Sequence, residues 1–241
     1  MKKIMVASLL GTLALLTLIT IPLYLKLNIE FAKLESDNPL VWESVIQAFE
    51  EEDIINPPAS DAVLFVGSSS IRFWFKLKED LSPVPVIQRG FGGSKLRDVL
   101  HYADRITCKY QPKAIVLFAG TNDICGRAND KSPEQLFKDF KQLAEIIKER
   151  LPDTKLFYLP ITPTTSRWHV WPKADKANKL IASYIKTQIN MVYLETDKVF
   201  LDKNGLPRKD LLWWDGVHLN WEGYEQWKKI IKPELIKLYS N

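Results

Sequence analysis

Three consecutive serines, Ser68, Ser69 and Ser70, follow an apolar run and Gly67 in the segment FVGSSSIRFW. A hydroxyl at a strand-to-helix turn is well placed to act as a nucleophile, because a helix N-terminus favours developing negative charge. Ester hydrolysis by such a serine also needs a base, an acid that holds the base, and donors for an oxyanion. Serine and glycine are common in ordinary turns as well. The catalytic interpretation therefore depends on partners elsewhere in the chain.

A base and its orienting acid are available in the segment WWDGVHLN, where His218 lies three residues after Asp215. An Asp-x-x-His step in a loop can fold back so that the carboxylate holds one imidazole nitrogen while the other nitrogen faces the serine. The alternative interpretation is a helix-capping aspartate beside an incidental histidine.

Oxyanion donors are available in two further segments. FAGTND supplies Asn122, whose side-chain amide can point into a site, and RGFGGS supplies Gly93, whose N–H no side chain obstructs. A glycine loop by itself is more often only a turn. In a parallel sheet, however, functional groups gather on the loops at the carboxyl ends of the strands. We therefore expect Ser69, Gly93, Asn122 and the Asp215–His218 step to meet at one edge of a sheet.

Short apolar runs alternate with amphipathic segments from residue 61 onward. The runs predict strands at residues 63–66, 84–88, 114–119, 155–160 and 191–194, and the segments predict helices at 70–79, 96–106, 132–150, 174–187 and 221–238. This alternation predicts an α/β fold with a parallel sheet covered on both faces.

The four segments together resemble the blocks of the SGNH (GDSL-type) hydrolases, a superfamily of esterases and acylhydrolases. The resemblance covers residues 61–238 and implies a three-layer α/β/α sandwich with a five-stranded, mainly parallel sheet of flavodoxin-like SGNH type. It also implies a catalytic triad of Ser69, Asp215 and His218, with an oxyanion hole formed by Ser69, Gly93 and Asn122. Ser68 replaces the aspartate after which the family is named, and we expect Ser68 and Ser70 to be structural.

The segment TPTTSRWHVW carries Trp168 and Trp171, which we expect to line an acyl or sugar pocket, although a lid or simple packing is the alternative. We expect His169 in the same segment to be non-catalytic. The chain has two cysteines and three histidines, far apart in sequence, and neither metal nor cofactor is predicted.

The N-terminal segment has a different character. Residues 4–25 form an uncharged run of 22 residues after Lys2 and Lys3. As a helix the run would span roughly 33 Å, enough to cross a bilayer core of about 30 Å. We expect an uncleaved membrane anchor over residues 1–26, a lead-in helix and linker over 27–60, and a hydrolase domain over 61–241 on the extracytoplasmic side. A cleaved secretory signal is the alternative.

The net charge of +4 comes mostly from this flank, since residues 27–241 carry 30 basic and 29 acidic side chains. That balance, without a basic cluster, argues against nucleic-acid binding. We expect a serine esterase that cleaves a short acyl group from a carbohydrate or lipid-like alcohol through an acyl-enzyme. The alternatives are an O-acyltransferase of envelope glycans, a non-catalytic envelope binding protein and a flavodoxin-like nucleotide binder.

Overall fold

The computed structural model describes residues 20–22, 24, 25, 28 and 32–240. The chain divides into two compact units, Met1–Val41 and Trp42–Asn241. The predicted anchor at residues 4–25 lies mostly outside the described residues, and among those described no helix is both long and apolar enough to cross a membrane. In the first unit a short helical turn covers residues 32–35, and all the elements below belong to the second.

A five-stranded sheet forms the centre of the second unit. Its strands are β1 (Val63–Gly67), β2 (Val86–Gly90), β3 (Ala114–Phe118), β4 (Lys155–Tyr158) and β5 (Met191–Tyr193), in the spatial order β2-β1-β3-β4-β5. All four pairings are parallel. The carboxyl ends of the five strands therefore share one edge of the sheet, as the sequence predicts.

In the described part of the second unit, one helix precedes the sheet in sequence, and the others follow its strands. They are α1 (Glu43–Ile55), α2 (Ser69–Arg72), α3 (Leu77–Leu81), α4 (Leu96–His101), α5 (Ala103–Ile106), α6 (Pro133–Arg150), α7 (Trp171–Ile185) and α8 (Trp221–Lys237). The start of α6 is fixed by a capping box, in which the Ser132 hydroxyl accepts from the Gln135 N–H (3.2 Å) and the Gln135 side chain accepts from the Ser132 N–H (2.7 Å).

The helices cover both faces of the sheet. On one face Phe118 of β3 packs against Trp227 of α8, with ring centroids 4.8 Å apart. On the other face Tyr158 of β4 packs against Phe140 of α6 at 5.1 Å. Successive residues of a strand point to opposite faces, so Phe157 joins the core on the α8 side while Tyr158 faces α6. The three-layer α/β/α sandwich is therefore confirmed.

The predicted helix over 70–79 is broken into α2 and α3. The break turns Trp74 fully into the core, where its ring stacks on Tyr224 at 5.3 Å. The Gln88 side-chain amide on β2 reaches the backbone at the break and donates to the carbonyls of Ile71 (2.6 Å) and Trp74 (3.2 Å). Helical periodicity could not anticipate the break, because it depends on a glutamine from another strand. The predicted helix over 96–106 is likewise interrupted, at Tyr102.

Helix α1, which precedes the sheet in sequence, is tied to the body by ion pairs. Arg105 on α5 donates to Glu43 (2.9 Å) and Glu50 (2.8 Å), and Arg89 on β2 pairs with Asp53. Of the predicted lead-in helix and linker, residues 42–60 thus belong to the same compact unit as the sheet.

Candidate active site

Ser69 occupies the first position of α2, immediately after the turn that ends β1. The turn requires glycine at position 67: its φ is +145°, and a Cβ there would lie 1.9 Å from the Phe118 carbonyl oxygen of β3. That same oxygen accepts a hydrogen bond from the Ser68 N–H at 3.1 Å. The close approach leaves Ser69 half-buried at the edge of the sheet, whereas Ser68 and Ser70 are buried.

His218 connects Ser69 with Asp215. Its Nε2 lies 2.9 Å from the Ser69 Oγ, and its Nδ1 lies 2.6 Å from one Asp215 carboxylate oxygen. The other Asp215 oxygen accepts from the backbone N–H groups of Val217 (2.9 Å) and His218 (3.0 Å). The Asp-x-x-His step therefore folds back as expected, and the three side chains form one hydrogen-bonded chain.

The hydrogen bonds to Asp215 decide its charge. Burial by itself would raise the pKa of this carboxyl, but the His218 ring and the two backbone N–H groups stabilise the carboxylate and hold the pKa below its ordinary value. An ionised carboxylate can only accept a hydrogen bond, so it favours the tautomer of His218 that carries its proton on Nδ1 and presents the lone pair of Nε2 to the hydroxyl.

The loop that carries Asp215 and His218 is held at both ends. The Trp213 N–H donates to the His218 carbonyl at 2.8 Å, and the Asn220 side chain caps α8 by accepting from Gly223 at 3.0 Å. In the middle, the Ser166 hydroxyl donates to the Asp215 carbonyl at 2.6 Å. These contacts fix the orientation of the imidazole relative to the sheet.

Donors for an oxyanion lie beside Ser69. A Cβ on Gly92 would be 3.9 Å from the Ser69 Cβ, so the loop after β2 borders the hydroxyl. Within residues 32–240 neither the Ser69 N–H nor the Gly93 N–H donates a hydrogen bond, and Gly93 has a φ of +85°. The Asn122 side chain uses one amide hydrogen on the Ser94 carbonyl (3.0 Å), which leaves the second available.

Sequence analysis missed Arg167, on the loop after β4. One of its nitrogens donates to the Thr121 carbonyl (2.6 Å) and hydroxyl (3.0 Å), and the other donates to the Asn122 side-chain oxygen (3.2 Å). Among the described residues Arg167 forms no ion pair, and burial lowers the pKa of its guanidinium. In the sequence, this segment is notable for its aromatic residues and histidine, and no spacing rule links position 167 to position 122.

The two tryptophans of that segment contact each other. The rings of Trp168 and Trp171 stack at 6.0 Å with an interplanar angle of 13°, and both residues are half-buried. In the part of the chain that the structure describes, neither has a ring contact or hydrogen bond with Ser69 or His218. Their role in substrate binding stays a prediction. His169 packs against Gly126, and within residues 32–240 it has no hydrogen bond or ring contact with Ser69 or His218.

Comparisons with known proteins place this arrangement in a family. The model of the GDSL-like lipase/acylhydrolase family matches residues 67–226. A multidomain esterase of Ruminococcus flavefaciens is 33% identical over 127 residues, which cover 50% of this chain but only 15% of that protein.

Two solved structures share the fold. A GDSL-like lipase from Bacteroides thetaiotaomicron VPI-5482 superimposes with a TM-score of 0.67 at 20% identity, over 80% of this chain and 97% of that one. A carbohydrate esterase family 3 protein from Talaromyces cellulolyticus gives a TM-score of 0.59 at 18% identity, over 74% and 95%.

The chain therefore belongs to the GDSL-like lipase/acylhydrolase family, which confirms the resemblance seen in its sequence blocks. The proteins of this family are described as lipases and acylhydrolases.

The depressed pKa of Asp215 predicts an acid-sensitive contribution to stability. A carboxyl whose pKa is lower folded than unfolded stabilises the protein above its unfolded pKa of about 3.9, and the contribution is lost as pH falls through the folded pKa. Urea unfolding of the wild type and of Asp215→Asn should therefore show a stability difference that narrows as the pH is lowered below about 4. A difference that widens with acid would contradict the assignment.

Proposed function

We propose that Ser69, His218 and Asp215 form the catalytic triad of this esterase and that the reaction passes through an acyl-enzyme on Ser69. The observation that carries the proposal is the continuous hydrogen-bonded chain from the Ser69 Oγ through both ring nitrogens of His218 to Asp215. An imidazole nitrogen 2.9 Å from a hydroxyl is within the reach of a general base.

In the first step the His218 Nε2 accepts the Ser69 hydroxyl proton while the Oγ forms a bond to the ester carbonyl carbon. The carbonyl π electrons move to the oxygen, giving a tetrahedral oxyanion. When this intermediate collapses, the bond to the alcohol oxygen breaks and His218 returns its proton to that oxygen. Water then repeats the sequence on the acyl-enzyme and releases the acid.

The Ser69 N–H, the Gly93 N–H and the free amide hydrogen of Asn122 are the donors that we assign to the oxyanion. The two backbone N–H groups donate no hydrogen bond within the described residues. They are therefore available to the ester oxygen, whose negative charge develops only during the reaction. The third is a side chain held by bonds at both of its polar atoms.

The substrate that we propose is a short acyl ester of a carbohydrate or of a lipid-like alcohol. The multidomain esterase and the carbohydrate esterase with the same fold support this class.

We also propose that residues 4–25 anchor the enzyme in a membrane with its catalytic domain outside the cytoplasm, because the run is uncharged and long enough to span. The full chain should remain with membranes on alkaline extraction and the hydrolase domain should be open to protease from the extracytoplasmic face. A variant lacking residues 4–25 should be released. Recovery of the intact full chain in the soluble fraction would contradict this proposal.

Ser69→Ala tests the nucleophile directly. The wild-type chain should acquire a fluorophosphonate adduct on Ser69, mapped by mass spectrometry, and the variant should lose both the adduct and roughly 10⁴-fold or more in kcat for 4-nitrophenyl acetate. Ser68→Ala is a matched control, because the Ser68 hydroxyl is buried without a hydrogen-bond partner in the described structure. It should keep both signals. Adduct on any other residue would refute the assignment.

Arg167 is, on the same proposal, a positioning residue for Asn122. A side-chain amide can rotate by half a turn, and the bond from Arg167 to the Asn122 oxygen fixes which end is the donor toward Ser69. Because the guanidinium is charged and unpaired within residues 32–240, it also adds a positive potential close to the developing oxyanion.

We expect Arg167→Met to lower kcat by roughly 10- to 100-fold with little change in KM, since loss of one oxyanion donor costs about 10²–10³. Arg167→Lys should retain part of this activity. The decisive measurement is a double-mutant cycle: in an Asn122→Ala background, Arg167→Met should have almost no further effect on kcat. If the two losses in kcat add in the double variant, Arg167 supports the fold rather than the Asn122 amide. The same conclusion follows if Arg167→Met lowers the free energy of unfolding by as much as it raises the activation free energy of the reaction.

A further inference from the structure

A row of aromatic rings leads from the catalytic histidine to the protein surface. Phe73 packs edge-on against His218 with ring centroids 5.1 Å apart, and Phe75 lies 6.0 Å beyond Phe73. Trp221 follows at 6.4 Å from Phe75, and Trp213 at 6.3 Å from Trp221. We call these four residues, Phe73, Phe75, Trp221 and Trp213, the aromatic strip.

The outer three members are unusually exposed for residues of their size. Phe75 is 68% exposed, Trp221 48% and Trp213 42%. Aromatic side chains normally contribute their large apolar area to a core or an interface, and a contiguous exposed patch of them marks a binding surface. Here the patch begins at the His218 ring, which contacts Phe73. We therefore expect the patch to bind another part of the molecule that carries the ester.

The position of the strip indicates which half of the ester it contacts. His218 must reach the leaving oxygen in order to return its proton, so the alcohol lies on the His218 side of the scissile bond. The oxyanion donors assigned above, on Gly93 and Asn122, take the carbonyl oxygen instead. Because the strip begins at the His218 ring, it faces the alcohol portion rather than the oxyanion.

From Phe73 the strip continues through three more ring contacts, to Phe75, Trp221 and Trp213. An alcohol that lies along the strip must therefore be extended and have apolar faces. The Lys76 ammonium lies 5.8 Å from the Trp221 ring centroid and already occupies a cation–π position there. Its charge disfavours the quaternary ammonium of a choline headgroup. Sugar rings fit these constraints, since their C–H faces stack on aromatic rings and their hydroxyls remain in water.

We propose that the aromatic strip is a binding platform for an oligosaccharide, and that the enzyme removes an acyl group from a sugar chain which lies along it. This inference rests on the proposed function, because it places the alcohol relative to His218. It names the alcohol portion as several sugar units and assigns their recognition to Phe75, Trp221 and Trp213.

The test compares esters that share an acetyl group and differ in the length of the alcohol. Acetylated xylose, acetylated xylohexaose and the corresponding N-acetylglucosamine oligomers are measured beside 4-nitrophenyl acetate, with the full-length chain. For at least one sugar series the wild type should show a kcat/KM for the hexamer roughly tenfold or more above that for the monomer, equivalent to about 1.4 kcal/mol. Phe75→Ala and Trp221→Ala should each remove most of this preference, with a much smaller loss on 4-nitrophenyl acetate.

Ile189→Ala is the matched control. Ile189 is a 97% exposed apolar residue just before β5, at the opposite edge of the sheet, and its loss should leave all rates unchanged. The proposal is overturned if the wild type shows no length preference in either sugar series. It is also overturned if the strip variants lose activity equally on every ester, or selectively on a micellar lysophospholipid.

These outcomes separate the two levels of inference. If Ser69→Ala still hydrolyses 4-nitrophenyl acetate, the triad itself is wrong. If Ser69→Ala is inactive and the strip variants nevertheless keep the length preference of the wild type, the triad stands and the platform alone is rejected.

Discussion

The hydrogen bond between His218 and Ser69 joins residues that are 149 positions apart, and the surrounding structure is organised to hold it. On the serine side, Gly67 lets β1 end against the carbonyl of a neighbouring strand, so that α2 begins with Ser69 at the sheet edge. On the histidine side, Asp215 and the Asn220 cap hold the last loop before α8. A bond with an optimum near 2.9 Å tolerates little error, so both supports need to be rigid.

Charge is distributed asymmetrically around this bond. The Asp215 carboxylate lies behind the imidazole, where hydrogen bonds lower its pKa and keep it ionised. The Arg167 guanidinium is bonded to the Asn122 oxygen and forms no ion pair with the described residues. On the proposed mechanism, the oxyanion forms beside Asn122 and therefore near this cation, while the imidazole separates Ser69 from the carboxylate. On that proposal, the arrangement stabilises the transition state without requiring the protein to reorganise.

Aromatic residues have two separate functions in the same helix. Trp227 of α8 is completely buried and contacts Phe118 and Trp74, whereas Trp221 at the start of that helix is half exposed and contacts Phe75. Six positions along a helix of 3.6 residues per turn place two side chains on different faces. One tryptophan therefore anchors the helix to the sheet, and the other remains at the mouth of the candidate site.

The sequence by itself determined the class of fold, the family and the groups that meet at the sheet edge, because strand–helix alternation and short loop motifs are local patterns. Ser69, Asp215 and His218 could be identified from their motifs, and the meeting of their loops followed from the rule for parallel sheets. Only the tertiary structure decided the rest. The break after α2 depends on Gln88 from another strand, and the partnership of Arg167 with Asn122 joins loops whose spacing follows no motif. The aromatic strip likewise combines residues near positions 73 and 221. Tertiary packing decides which faces of those two segments remain exposed, and the sequence pattern of either segment does not show this.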